Sequence, residues 1–168
     1  IGDNKYYFND DGVMMTGWVA VKSSAESGDS TGISKFVYLG GDDEGIMAKN
    51  KWLELSEHPG DSDDKDEISA DSNSDEVPDE GESNWYYFDS DGTAAYLNSK
   101  AANMSKVTTK IDGSSYFFNA YGVRQTGLIH IVTSSGKDFT GYFGESDSDG
   151  KMITGKRTNL SVDGENAS

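Results

Sequence analysis

Lys5-Tyr-Tyr-Phe-Asn-Asp-Asp-Gly-Val-Met-Met-Thr-Gly-Trp18 is the stretch on which the fold turns. It reads as a short aromatic strand, a tight acidic turn ending on Gly12, and a second strand closing on Gly17-Trp18. Asx side chains and glycine supply the local hydrogen bonds and positive φ that such turns need. The phrase returns four times. Aligned on an aromatic quartet and a following turn glycine, the repeats begin Lys5-Tyr-Tyr-Phe8 with Gly12 and Phe36-Val-Tyr-Leu39 with Gly45. They continue with Trp85-Tyr-Tyr-Phe88 and Gly92, Ser115-Tyr-Phe-Phe118 and Gly122, and Thr140-Gly-Tyr-Phe143 and Gly150. The third slot is aromatic and the fourth is Phe or Leu in all of them, so this is a repeat array. Slots one and three share one strand face, slots two and four the other. The expectation is a strand packed on one side and presenting rings on the other.

Composition agrees with short strands and many turns. The 168 residues are 34% hydrophobic but 11% aromatic, with 20 Gly and 2 Pro. A row of hairpins that bury rings against their neighbours can be stable with few aliphatic residues. The formal net charge of −16 speaks against nucleic acid, whose phosphates require clustered Lys and Arg, and against an anionic membrane surface. It favours a cationic or neutral ligand. There is no cysteine, hence no disulfide or thiolate zinc site. No apolar run approaches the roughly 20 residues that span a bilayer. The chain opens and closes in mid-phrase, which reads as a fragment of a larger protein.

The spacers are unequal. Residues 23–32 form a Ser/Gly loop. Residues 54–84 form an insertion with thirteen acids against Lys65 alone, a composition that predicts a solvated or disordered loop. Residues 98–104 could hold a short helical turn. Leu128-Ile-His-Ile-Val132 reads as a strand before the turn Thr133-Ser-Ser-Gly136. After each turn comes a small or apolar second strand, Val13-Met-Met in the first repeat and Val123-Arg-Gln in the fourth, and repeats one, four and five then show Thr-Gly at Thr16, Thr126 and Thr154.

The phrase Tyr6-Tyr-Phe, acidic turn, Gly12-Val-Met-Met-Thr-Gly-Trp18, with Asn84-Trp-Tyr-Tyr-Phe-Asp-Ser-Asp-Gly92, closely resembles the cell-wall-binding repeat family, which includes choline-binding and glucan-binding modules of Gram-positive surface proteins. The resemblance implies an all-β fold, a β-hairpin repeat solenoid like that of a choline-binding module, in a single array of about five hairpins over residues 1–168. It implies a non-catalytic module that attaches a secreted bacterial protein to choline- or glycan-bearing polymer at the cell surface, without cofactor or metal. Ligands sit between successive hairpins. A quaternary ammonium cannot donate a conventional hydrogen bond and is held by aromatic faces, at about 0.5–2 kcal/mol per good contact.

Carried over by position, the family's cage combines the Trp after Thr-Gly with slots one and three of the next hairpin. That selects Trp18, Phe36 and Tyr38, and then Trp52, Trp85 and Tyr87, with Trp52 one residue out of register. The next interfaces hold Tyr96, Ser115 and Phe117, and then Leu128, Thr140 and Tyr142, so at most two sites look complete. Met14, Met15 or Met47 would floor the pockets. The alternative is a structural stalk or protein-interaction module with degenerate pockets.

Catalytic and metal readings fare worse. Asp89-Ser-Asp-Gly92 and Asp147-Ser-Asp-Gly150 lack the closing Glu and flanking helices of a calcium-binding helix-loop-helix and read as turns. His58 and His130 lie far apart with no Ser or Cys signature beside them, and the exposed acids read as solvated surface rather than a glycosidase pair.

Overall fold

Three turns of the array are built alike. Asn9, Asp89 and Asn119 each begin a turn, and the Oδ1 of each accepts from the backbone N–H two and four residues on: Asp11 and Val13, Asp91 and Thr93, Tyr121 and Val123. The turn closes when Gly12, Gly92 or Gly122, at φ of 77°, 84° and 81°, donates to the carbonyl of that same residue. The computed structural model describes residues 2–40, 45–69, 77–79, 81–145, 149–154, 160–162 and 165–167. The tips of the second and fifth turns, the middle of the acidic insertion and Gly155 lie outside the described residues.

The ladders run elsewhere than across these turns. β1 (Gly17–Ala20) pairs antiparallel with β2 (Phe36–Leu39), and β3 (Lys51–Leu55) with β4 (Asn84–Phe88). β5 (Thr109–Ile111), β6 (Ser114–Phe118) and β7 (Arg124–Gln125) form a three-stranded sheet. β8 (Leu128–Val132) pairs with β9 (Asp138–Tyr142), and β10 (Leu160–Val162) with β11 (Glu165–Ala167). Across the aromatic turns the described residues show only the isolated bridges Phe8↔Met14, Leu39↔Met47, Phe88↔Ala94 and Tyr142↔Ile153, and the short β6–β7 ladder. The expected hairpin is therefore shifted in phase: each long ladder joins the end of one phrase to the quartet of the next. The cause lies just beyond the bridge, where Gly17, Asn50 and Gly127 take positive φ, turn the chain out of the first pairing and send it to the next strand.

Successive pairs pack face to face. Trp18, Ala20, Phe36 and Tyr38 occupy one face of β1–β2 and meet Leu53, Leu55, Tyr86 and Phe88 from β3–β4. The opposite face of β3–β4 carries Trp52 and Tyr87 against Ile111, Tyr116 and Phe118. Phe117, from the far side of β6, then meets Ile129, Ile131 and Phe143. Both faces of the inner pairs are thus packed, which corrects the expectation of one face left to present rings. Phe36, Tyr86, Phe88, Phe118 and Phe143 are fully buried, each such ring contributing about 1.5–3 kcal/mol relative to exposure.

The first part of the acidic insertion is ordered. Two 3-10 turns, Pro59–Asp61 and Lys65–Glu67, fold back over β1 and β2. Ile68 joins the core around Trp18, and Pro59 is buried. The Asp64 carboxylate accepts from the Ala20 N–H at 3.0 Å, and Lys35 pairs with Glu67 at 2.6 Å. Most of the segment's side chains are in solvent, as the composition predicts, while two apolar anchors and carboxylates that accept from backbone donors fix it. The α-helical turn among the described residues, α1, is at Met104–Val107, C-terminal to its expected place. Asn98 is used instead for tying the chain down, donating to the Ser27 carbonyl and accepting from the Lys100 N–H.

Candidate ligand clefts

Trp18 lies opposite Tyr38 in the β1–β2 ladder, their rings edge to face at 5.6 Å. The next pair adds Tyr86 at 5.1 Å and Phe88 at 5.5 Å from the indole. Trp18 is only 4% exposed, and its Nε1 donates to the Glu57 carbonyl at 3.1 Å. Phe36 is 0% exposed, so it supports the cluster from within the core and cannot line a cage. Half-buried Tyr38 is the ring that faces outward. It borders a cleft of about 1110 Å³ lined also by Met15, Trp18, Glu57, Asp61, Asp63 and Asp64, with His58 and Lys65 among its other residues. Burial, and then the charge of Glu57, push the Tyr38 phenol above its usual range. A cleft that brings an aromatic ring together with several acidic residues suits a cation that offers no hydrogen bond.

His58 lies in the same cleft and serves the local fold. Its Nδ1 accepts from the Gly60 N–H at 3.1 Å, capping the 3-10 turn, while its Nε2 sits 3.2 Å from Asp61. His130, exposed on β8, lies beside Thr140 and Asp138.

The second predicted set also comes together. Trp52 lies opposite Tyr87, as Trp18 lies opposite Tyr38, so the one-residue offset in sequence disappears in the ladder. The Trp52 ring has Tyr87 at 5.3 Å, Tyr116 at 4.8 Å and Phe118 stacked at 5.6 Å. Trp85, opposite Glu54, shares this face. The guanidinium carbon of Arg124 lies 5.5 Å from the Trp85 ring centre and 5.9 Å from that of Trp52. Arg124 donates from Nη1 to the Asp149 carbonyl at 3.0 Å. Burial lowers its pKa, with Asp149 opposing that shift. A cavity of about 380 Å³ flanks the site between Trp85, Arg124, Glu82, Asn84 and Gln125.

Later interfaces depart from the pattern. Tyr96 packs against the core around Trp18 and donates to Glu26 at 2.9 Å, while Phe117 pairs with Gln125 on β7. Leu128 takes the position opposite Tyr142. Met14 and Met47 pack over the turn glycines of the following repeat, Gly45 and Gly92, and Met15 alone of the three expected methionines lines the first cleft. Sequence reasoning missed Tyr86, Phe88, Tyr116 and Phe118, although slots two and four place them on the face that meets the preceding pair. It also missed Arg124, whose signal was a charge at a slot otherwise filled by Met14, Met47, Ala94 and Met152.

Antiparallel strand pairs that meet through aromatic faces define a fold built from repeats. Residues 1–27 match the family described as choline-binding repeat, and residues 80–94 match the one described as "Putative cell wall binding repeat". No curated protein matches the chain. Among solved structures it is similar to CbpJ from Streptococcus pneumoniae, at 22% identity, 99% coverage of this chain and 36% of that one, with a TM-score of 0.49. It is also similar to choline binding protein F from Streptococcus pneumoniae, solved in the presence of a peptidoglycan analogue, at 20% identity, 99% and 35% coverage and a TM-score of 0.50. The likeness to choline binding protein F is one of fold, and the chain spans about a third of the length of either protein.

Proposed function

We propose that this chain is a non-catalytic cell-wall-binding module, its strand pairs stacked as a solenoid, that attaches a secreted bacterial protein to choline- or glycan-bearing polymer at the cell surface. The observation that carries this reading is the first cleft, which Tyr38 and Trp18 line together with Glu57, Asp61, Asp63 and Asp64. A trimethylammonium group is large, apolar at its surface and positively charged, and it would find there both a ring and compensating carboxylates. The two repeat-family matches, one of which includes Trp18, support the same choice of ligand. Each cleft would bind weakly, and several along a polymer would give avidity.

The burial of Trp18 and Phe36 favours a second reading, a stalk or protein-interaction spacer in which the rings only hold the pairs together. Calorimetric titration with choline chloride separates the two. Saturable heat, with retention on a tertiary-amine resin and elution by choline, is expected of the binding module. No heat at tens of millimolar choline, no retention and a blank glycan array would leave the spacer.

A further inference from the structure

We propose that Arg124 is a resident cation that fills the second aromatic cleft and closes it to the quaternary ammonium ligand of the first. The inference rests on the reading of the first cleft given above. Trp52, Trp85 and Tyr87 lie on one face of β3–β4, as Trp18 and Tyr38 do on β1–β2. Two of those rings already share one positive charge, since the guanidinium lies within 6 Å of both indole centres, the distance at which a cation is drawn to an aromatic face.

Packing alone does not demand an arginine here. The residue two places after the turn glycine lies over the turn of the following repeat: Met14 on Gly45, Met47 on Gly92 and Arg124 on Gly150. An aliphatic stem fills that slot. The guanidinium reaches beyond it, and its Nη1–H is anchored on the Asp149 carbonyl at 3.0 Å. A second cation entering the cleft would meet an occupied ring face and a like charge, in a partly desolvated setting that strengthens their repulsion. The two aromatic clefts therefore differ in specificity: the first accepts a cationic headgroup, and the second supplies its own.

The test uses the R124M variant of the full chain, which places in this slot the residue found at Met14, Met47 and Met152. Choline chloride is titrated calorimetrically into wild type, R124M and R124K. Wild type and R124K are expected to bind one equivalent and R124M two, with ethylguanidinium competing for the added site. R124A repeats the measurement with the whole stem removed, and far-ultraviolet circular dichroism checks that each variant is folded. Unchanged stoichiometry in folded R124M and R124A overturns the proposal. If wild type binds no choline but R124M does, the reading of the first cleft falls and that of Arg124 stands. If neither binds, both fall.

Discussion

Met47 lies over Gly92 so closely that a β-carbon on the glycine would come within 2.9 Å of the methionine's terminal methyl. Met14 bears on Gly45 in the same way, its sulfur 2.6 Å from where the β-carbon would stand. The turn glycine is thus required by its positive φ, and a β-carbon there would also oblige the flexible end of the preceding repeat's methionine to shift. Gly12 has the same φ requirement, at 77°, but open space around it. Gly12→Ala should cost only the left-handed backbone penalty, about 1–2 kcal/mol. Gly92→Ala should add overpacking of about 1–3 kcal/mol. Urea denaturation checks the order, and equal losses would show that Met47 yields freely.

The three Asx turns make a graded series. Each carboxamide or carboxylate accepts two backbone N–H groups, but Asn119 is 5% exposed whereas Asn9 is in solvent. Water can replace the lost acceptor at Asn9 but reaches Asn119 poorly. Asn119→Ala should therefore lose roughly 2–3 kcal/mol and Asn9→Ala about 1 kcal/mol or less, with Asp89→Ala between them. The ranking can be read from denaturation midpoints, and the reverse order would show that burial is not what sets the cost.

Much of this fold was legible because the repeat writes its chemistry locally. Asn9 through Gly12 specify their own turn, and the quartet's alternation assigns faces before any partner is known. What lay beyond the sequence was the pairing. Nothing in Trp85-Tyr-Tyr-Phe88 says whether it ladders with the strand after its own turn or with β3, thirty residues earlier, and the positive φ of Asn50 that sends the chain into β3 is unremarkable in composition. The sites were legible as aromatic sets but not as cavities. Trp18 and Phe36 proved to be core because Tyr86 and Phe88 cover them. Arg124 lies on β7, two repeats away from Trp52, so its position over that ring is a product of stacking alone.

Tyr86 is fully buried, and its hydroxyl has no hydrogen-bond partner among the described residues. Burial first, and then the charges of Asp61 and Glu82, push its pKa far above the usual phenol range. Tyr38 and Tyr96 are raised as well, each by burial first. Each phenol stays neutral in the fold while the unfolded chain ionises near pH 10. Their contribution is therefore whole below about pH 10 and is lost as the pH rises from there through the folded values. Tyr86→Phe should remove a large share of this alkaline slope, as should Tyr96→Phe. Tyr86→Phe should also stabilise the protein at neutral pH by about 1 kcal/mol, since an unsatisfied buried hydroxyl disappears. Denaturation at pH 7 and at several values above 10 tests both parts, and a loss of stability at pH 7 would reveal a partner for the hydroxyl.

Binding and folding should separate within the first cleft. Trp18 is core, so Trp18→Ala should cost about 3–5 kcal/mol of stability and cannot by itself report on a ligand. Tyr38 is only half buried, and Tyr38→Leu keeps an apolar side chain against Trp18 and Phe88 while removing the ring that borders the cleft. Choline affinity should fall by about 0.5–2 kcal/mol, or two- to thirtyfold, with the fold intact. Glu57→Gln preserves the backbone carbonyl that accepts from the Trp18 indole and removes one exposed charge. Its effect should be about threefold or less and should fade in high salt, because exposed charges are screened beyond about 10 Å at 0.1 M. Calorimetry with choline at low and high ionic strength measures both. If Glu57→Gln weakens binding more than Tyr38→Leu and salt abolishes binding altogether, the cleft works as a plain cation exchanger and its ring contributes nothing to recognition.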